Sequence, residues 1–91
     1  MILEWDSRKA LANLAKHGVD FREAGSVMGD RLSVTFADQR HSTDERRFTT
    51  IGASASGRIL VVVHTDRGEA VRLISARRAT PRERRFYEEG Q

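Results

Sequence analysis

Residues 58–65, Arg-Ile-Leu-Val-Val-Val-His-Thr, form the most hydrophobic stretch of this 91-residue chain, and they constrain its fold more than any other feature. The β-branched side chains of Ile59, Val61, Val62, Val63 and Thr65 crowd a helix and suit a pleated strand. No polar residue alternates between Ile59 and Val63, so neither face of that strand suits water. It is expected at the centre of a sheet, covered on both sides. Turn chemistry stands on either side of it: Ser54-Ala55-Ser56-Gly57 before, Asp66-Arg67-Gly68-Glu69 after. Short turns imply antiparallel neighbours. Residues 47–53, with Phe48 and Ile51 as their largest apolar members, and residues 71–77 are expected to be those neighbours.

Upstream, Leu32, Val34 and Phe36 alternate with polar residues and read as a half-buried strand. Residues 38–44 form a polar loop. Before the strand, the apolar period is close to 3.6. Asp6 or Ser7 can cap a helix over residues 8–17 that Gly18 ends. In it Leu11, Leu14 and Ala15 share one face, and Lys9, Asn13 and Lys16 lie opposite. Asp20 with Glu23 resembles a capping box that opens a second helix, with Phe21, Ala24 and Met28 as its buried stripe and Gly29 at its end. Thr80-Pro81-Arg82-Glu83 combines a cap, a first-turn proline and a third-position glutamate, which predicts a last helix running to about residue 89. Ile2-Leu3-Glu4-Trp5 reads as a short opening strand, with Trp5 in the core. The expected fold is an α+β single domain over residues 1–91, in the order β-α-α-β-β-β-β-α, with an antiparallel sheet and helices packed on it.

No run of 18 apolar residues predicts a membrane span, and the acidic opening Met1-Ile2-Leu3-Glu4-Trp5-Asp6 lacks a basic-then-apolar signal pattern. The absence of cysteine excludes disulfides and thiolate chemistry. A cytoplasmic protein is expected. Charge is uneven: residues 1–39 carry a net −1 and residues 40–91 a net +4, and only Lys9 and Lys16 among the 16 basic residues are not Arg. Arg presents a planar fork that matches phosphate, so the second half suits an anionic partner, either nucleic acid or an acidic protein surface. A solvated, Arg-biased face has the same composition.

The punctuation of the whole chain resembles one family. Trp5-Asp6, Lys9, Asn13 and Lys16-His17-Gly18-Val19-Asp20-Phe21, then Asp38, His41 and Glu45-Arg46-Arg47, are similar to the ordered signature of BrnT-type toxins. Gly52, Gly57-Arg58, Val61-Val62-Val63, Arg67, the run from Arg72 through Ala79, then Glu83-Arg84 and Tyr87 continue it. The resemblance implies a RelE-like fold and the toxin role in a type II toxin–antitoxin module. It implies RNA cleavage without a metal or organic cofactor, and a block of protein synthesis. The implied partners are RNA, free or bound to the ribosome, and a BrnA-like ribbon-helix-helix antitoxin. The complex would be a heterotetramer that represses its own operon, reaching operator DNA only through the antitoxin.

Cleavage of this kind requires a base for the 2′-hydroxyl, a stabiliser of phosphorane charge and an acid for the leaving oxygen. Arg58 and Arg77 are the first candidates for the charge. A two-residue turn at 67–68 would set 64 opposite 71, 62 opposite 73 and 58 opposite 77. Both guanidinium groups would then share one face, and their repulsion would call for a bridging anion. The alternative pairs each with an acid such as Glu83 or Glu45. His41 and Glu45, four apart in a polar loop, are candidate acid–base groups, with a surface ion pair as the plain alternative. Lys9 can reach substrate from its helix stripe, and Tyr87 can act by catalysis or stacking, or can pack in the core beside Phe86. Arg47 and Arg72 are assigned to substrate binding. His64 reads as a strand-end histidine with its hydrogen bonds satisfied, and His17 as a structural group at a helix C-terminus. Two other readings compete. One is a catalytically silent module whose basic face only holds an antitoxin. The other is a DNA reader, although no recognition helix stands out.

Overall fold

The computed structural model describes residues 1–38 and 46–90. The elements are β1 (Ile2–Glu4), α1 (Ser7–His17), α2 (Phe21–Ser26), a 3₁₀ turn (Val27–Gly29), β2 (Val34–Asp38), β3 (Arg47–Ala53), β4 (Ile59–Arg67), β5 (Ala70–Arg78) and α3 (Pro81–Glu89). The candidates His41 and Glu45 lie outside the described residues.

The five strands stand in the order β1-β5-β4-β3-β2, which puts the apolar β4 in the middle. Strands β2 to β5 pair antiparallel, but β1 lies parallel to β5 through Ile2↔Ala70, Leu3↔Val71 and Glu4↔Arg72. The sheet is therefore mixed, not the purely antiparallel one expected. No hairpin joins β1 to its neighbour, so nothing in the local chain imposes the antiparallel sense.

Each face of β4 supports its own cluster. Leu60 and Val62 pack with Leu73, Ala76, Val19, Phe21, Ala24 and Val27 beneath α1 and α2. Trp5 joins them, edge-on to Phe21 at 6.1 Å between ring centroids. On the other face Val61 packs with Ile51 and Tyr87 under α3. These two layers are what the unbroken apolar run demanded.

Helix α1 starts as expected. Asp6 Oδ1 accepts from the Arg8 and Lys9 amides, and Gly18 ends the helix at φ 68°. It is rotated from the expected orientation, although Lys9 and Lys16 stay exposed. Leu11 and Leu14 are 70% and 45% exposed, while Asn13 is only 7% exposed. In α2, Asp20 caps the Arg22 amide at 2.6 Å, but Glu23 makes no capping box. Its carboxylate turns to Arg58, Ser54 and Ser56 instead. Val27, not Met28, is the fully buried residue of that segment, because α2 tightens into a 3₁₀ turn after Ser26. Helix α3 has the full capping box between Thr80 and Glu83, with Pro81 in its first turn.

The β4–β5 hairpin decides the site. Arg67 pairs with Ala70, so the two loop residues are Gly68 and Glu69, with Gly68 at φ 60°. A bulge follows: His64 faces Leu73, yet Val63 faces Ser75, which leaves Ile74 as the extra residue. Together these shift the partner of Arg77 to Val61. The expected pairing of Arg58 with Arg77 is thus incorrect. Directly opposed residues share a face and faces alternate along β4, so Arg77 lies on the Val61 side and Arg58 on the Leu60 side.

His64 is buried within β4. Its ring stacks on Phe48 at 5.9 Å, and its Nε2 lies 2.8 Å from Thr50 Oγ1, which in turn meets Thr35 Oγ1 at 2.7 Å. Among the described residues its Nδ1 has no partner, so it is only half satisfied. Burial lowers the His64 pKa below its ordinary value. A histidine held neutral by the fold binds fewer protons there than in the unfolded chain. Its contribution to stability is complete above about pH 6.5 and is lost as pH falls below that value. Urea unfolding is expected to show lower stability at pH 5 than at pH 7.5, and a His64→Gln variant is expected to lose most of that difference.

Candidate active site

The Val61 face is only partly covered by α3. Beyond the helix it opens into a cleft of about 660 Å³. The floor is Thr49, Val63 and Ser75, in register across β3, β4 and β5, with Val61 beside them on β4. Phe36 on β2 forms one side, where its ring is 46% exposed. Arg77 and Glu83 form the other, with His17 at the end of α1.

Arg77 is fixed by a two-point ion pair: Nη1 donates to Glu83 Oε1 at 2.7 Å and Nη2 to Oε2 at 2.9 Å. Glu83 can hold that pose because it is itself held by the Thr80 amide in the capping box. The Arg77 hydrogen bonds keep the Glu83 pKa down to about 2, so the pair stays ionised well into acid. The side chain of Arg77 is still 42% exposed, and among the described residues its Nε–H has no acceptor. It is a rigid, oriented cation with a donor left for a ligand. This matches the alternative of separate acid pairs, in which Glu83 is one of the acids named without being assigned to either arginine.

Arg58 has a different setting. Its Nε and Nη2 donate to Glu23, and Nη2 also reaches the Gly18 carbonyl at 3.2 Å. Ser54 and Ser56 donate to the same carboxylate. Arg58 first, and these hydroxyls after it, lower the Glu23 pKa to about 2. The cluster ties α2 to the β3–β4 turn on the face away from the cleft.

The remaining candidates fall in three places. Tyr87 is buried in the second cluster, and its hydroxyl donates to Asp30 Oδ2 at 2.6 Å. That bond to a carboxylate raises the Tyr87 pKa to about 12. The tyrosine does not line the cleft, and it is Phe86 that is exposed. Arg47 and Arg72 both oppose Thr65, on the cleft face and beyond its Ser75 end. They stand two strand spacings apart, roughly 10 Å, and Arg72 lies 3.7 Å from Glu4. Lys9 lines a shallower groove along α1 with Lys16, and this groove shares His17 and Ser75 with the cleft.

The residues that sequence reasoning missed are His17, Phe36 and Ser75. His17 read as a helix-end charge, and only packing shows that the end of α1 comes to the rim of the sheet. Phe36 read as half-buried. The signal available was its place on what proved to be an edge strand with no helix above it. Chemically, the cleft offers an oriented guanidinium, an imidazole able to move protons, a hydroxyl donor and an aromatic ring able to stack on a base. Among the described residues no group of three or more His, Asp or Glu side chains is placed to share a metal ion, and no helix is long and apolar enough to cross a membrane.

Comparison with known proteins gives this geometry a context. The family described as the ribonuclease toxin BrnT of type II toxin–antitoxin systems matches residues 5–83. The chain is similar to the crystal structure, at 1.1 Å resolution, of the Brucella abortus ribonuclease toxin BrnT. The two share 27% sequence identity with a TM-score of 0.67, over 88% of this chain and 99% of that one. No curated protein sequence matches the chain. With a family pattern that runs from Trp5 to Glu83 on a BrnT-like fold, this chain belongs to the BrnT family, the ribonuclease toxins of type II toxin–antitoxin systems.

Proposed function

We propose that the cleft on the Val61 face is the ribonuclease site, and that it cleaves RNA without a metal ion. The observation that carries the reading is the convergence of Arg77, His17, Ser75 and exposed Phe36 on one uncovered face of the sheet. In this reading the substrate's own 2′-oxygen attacks the adjacent phosphorus and the 5′-oxygen leaves, giving a 2′,3′-cyclic phosphate and a free 5′-hydroxyl. Arg77 sits against the phosphorane oxygens, where charge develops and where a preorganised donor acts most strongly. His17 moves a proton at the 2′- or the 5′-oxygen. Phe36 stacks on a neighbouring base, a contact worth about 1–3 kcal/mol per base. Arg47 and Arg72 hold the strand beyond the cleft, and Lys9 and Lys16 hold it along α1.

Membership of the family supports a wider reading. The fold is RelE-like in this proposal, the enzyme stops translation in the cytoplasm by cutting mRNA, and a BrnA-like ribbon-helix-helix antitoxin neutralises it. The complex is a heterotetramer that represses its own operon and touches DNA through the antitoxin alone.

Purified protein is expected to cut single-stranded RNA in excess EDTA and to leave 2′,3′-cyclic phosphate ends, read by end-labelling and mass spectrometry. Cleavage that stops with EDTA and returns with a divalent ion would overturn the metal-free mechanism. If neither naked nor ribosome-bound RNA is cut, the basic face serves only to bind an antitoxin.

A further inference from the structure

At the end of the sheet where β5 runs into α3 lies a second, smaller pocket of about 210 Å³, lined by Gly57, Arg58, Ile59, Arg78, Ala79 and Arg84. Three guanidinium-bearing residues converge there for reasons of topology. Arg58 precedes β4, and Arg78 ends β5 opposite Leu60. The Ala79 amide continues the ladder to the Ile59 carbonyl at 2.9 Å, and Arg84 lies one helical turn after the Thr80 cap.

Their charges are unevenly matched. Arg58 is neutralised by Glu23. Among the described residues no carboxylate pairs with Arg78. Arg84 has only a 3.8 Å contact with Glu88, both side chains being largely exposed, and such a pair is worth little. Like charges brought together repel, so an anion between them is favoured. Its volume accommodates a phosphodiester group with several waters of about 30 Å³ each.

The pocket adjoins the cleft through the chain itself. Arg77 and Glu83 line the cleft, and their sequence neighbours Arg78 and Arg84 line the pocket. Successive side chains on a strand point to opposite faces, so Arg78 turns to the Leu60 side while Arg77 faces the cleft, and an RNA strand leaving Arg77 reaches the pocket by crossing the end of the sheet.

We propose that this arginine pocket is a subsite for a backbone phosphate of the RNA, reached where the strand crosses the end of the sheet beyond the cleavage point. The proposal rests on the ribonuclease reading of the cleft. Arg78 and Arg84 supply the charge that binds, and Arg58, anchored by Glu23, forms a fixed wall. Neither Arg78 nor Arg84 makes a buried contact, so their removal leaves the fold intact.

The test is RNA affinity and cleavage as a function of salt, using a single-stranded oligoribonucleotide with wild type, Arg78→Gln, Arg84→Gln and the double variant. Arg22→Gln, on α2 and outside the linings of both the pocket and the cleft, is the charge-matched control. Thermal melts are expected to coincide for all five proteins. The double variant is expected to bind roughly tenfold more weakly at low salt, the scale of losing one charge-assisted contact. Its slope of log K against log [salt] is expected to be shallower by about 0.7, the share of one phosphate on a single strand. The loss in cleavage is expected in KM more than in kcat. If the double variant keeps the affinity and slope of wild type while wild type still cuts RNA, the subsite is refuted and the ribonuclease reading stands. If the variants bind RNA normally but lose affinity for an acidic antitoxin, the pocket belongs to that protein and the proposal is likewise refuted. If wild type neither binds nor cuts RNA, both readings fall together.

Discussion

Replacing Arg77 by alanine is expected to lower kcat for RNA cleavage by roughly 10²–10³, the usual cost of removing one preorganised donor from developing oxyanion charge. The effect is expected in kcat because phosphorane charge is larger in the transition state than in bound RNA. Stability is expected to change little. The Arg77–Glu83 pair is partly exposed, with side chains 42% and 27% accessible, and such pairs add little net stability. Glu83 also keeps its place in the capping box when the arginine is gone. Arg77→Lys is expected to recover only part of the rate, since an ammonium keeps the charge but loses the fork that meets Glu83 at two points. Single-turnover cleavage by folded protein, checked by circular dichroism, reads the result. Arg22→Ala, on the other side of the sheet, is expected to cleave at the wild-type rate. Equal cleavage by Arg77→Ala and wild type would remove the guanidinium from the mechanism.

Asn13→Ala is expected to be the most damaging single change to the fold among those considered, by about 2–4 kcal/mol. Beyond Glu4 the strand β1 has ended, which leaves the outer edge of β5 uncovered at Ala76. Asn13 acts there as a substitute strand. Its Nδ2 donates to the Ala76 carbonyl at 2.8 Å and its Oδ1 accepts from the Ala76 amide at 3.0 Å. The same Nδ2 donates to the Val19 carbonyl at 3.1 Å, which ties in the α1–α2 connection. Removing the amide strands three buried backbone groups at once, each with its own desolvation cost. The urea midpoint is expected to fall by on the order of 1–2 M for an m-value typical of a small domain. Asn13→Leu is expected to fare no better, because it fills volume without matching those groups. A leucine variant as stable as wild type would show that the site needs bulk rather than hydrogen bonds.

The site was legible in its parts and not in its assembly. Separate acid partners for the two arginines, Glu83 or Glu45 among them, were an open alternative, and the arginine-rich second half pointed to an anion. The joint pocket of Arg58 and Arg77 failed through two local details, a loop at Gly68-Glu69 and a bulge at Ile74. Each changes the pairing by one or two residues, and an odd net shift exchanges the faces of a strand. Tyr87 read either as chemistry or as core, and its contacts place it in the core, with its hydroxyl on Asp30. His17 lay in a motif that suggested a helix end, and nothing local said which rim that end would meet.

What the amino-acid order determined by itself was every element governed by near neighbours. The caps at Asp6, Asp20 and Thr80, the bounds of β3, and the central place of the β4 run all follow from propensity, turn chemistry and burial of an unbroken apolar segment. The tertiary structure decided the rest. It set β1 parallel on β5, turned the Asn13 face of α1 inward and left Leu11 and Leu14 in solvent. It also parted the two arginines. The first two share a reason: an apolar stripe is a local preference, whereas an unpaired strand edge is a deficit that only a distant segment can correct. Here a buried amide, matched at three points, outweighed two exposed leucines.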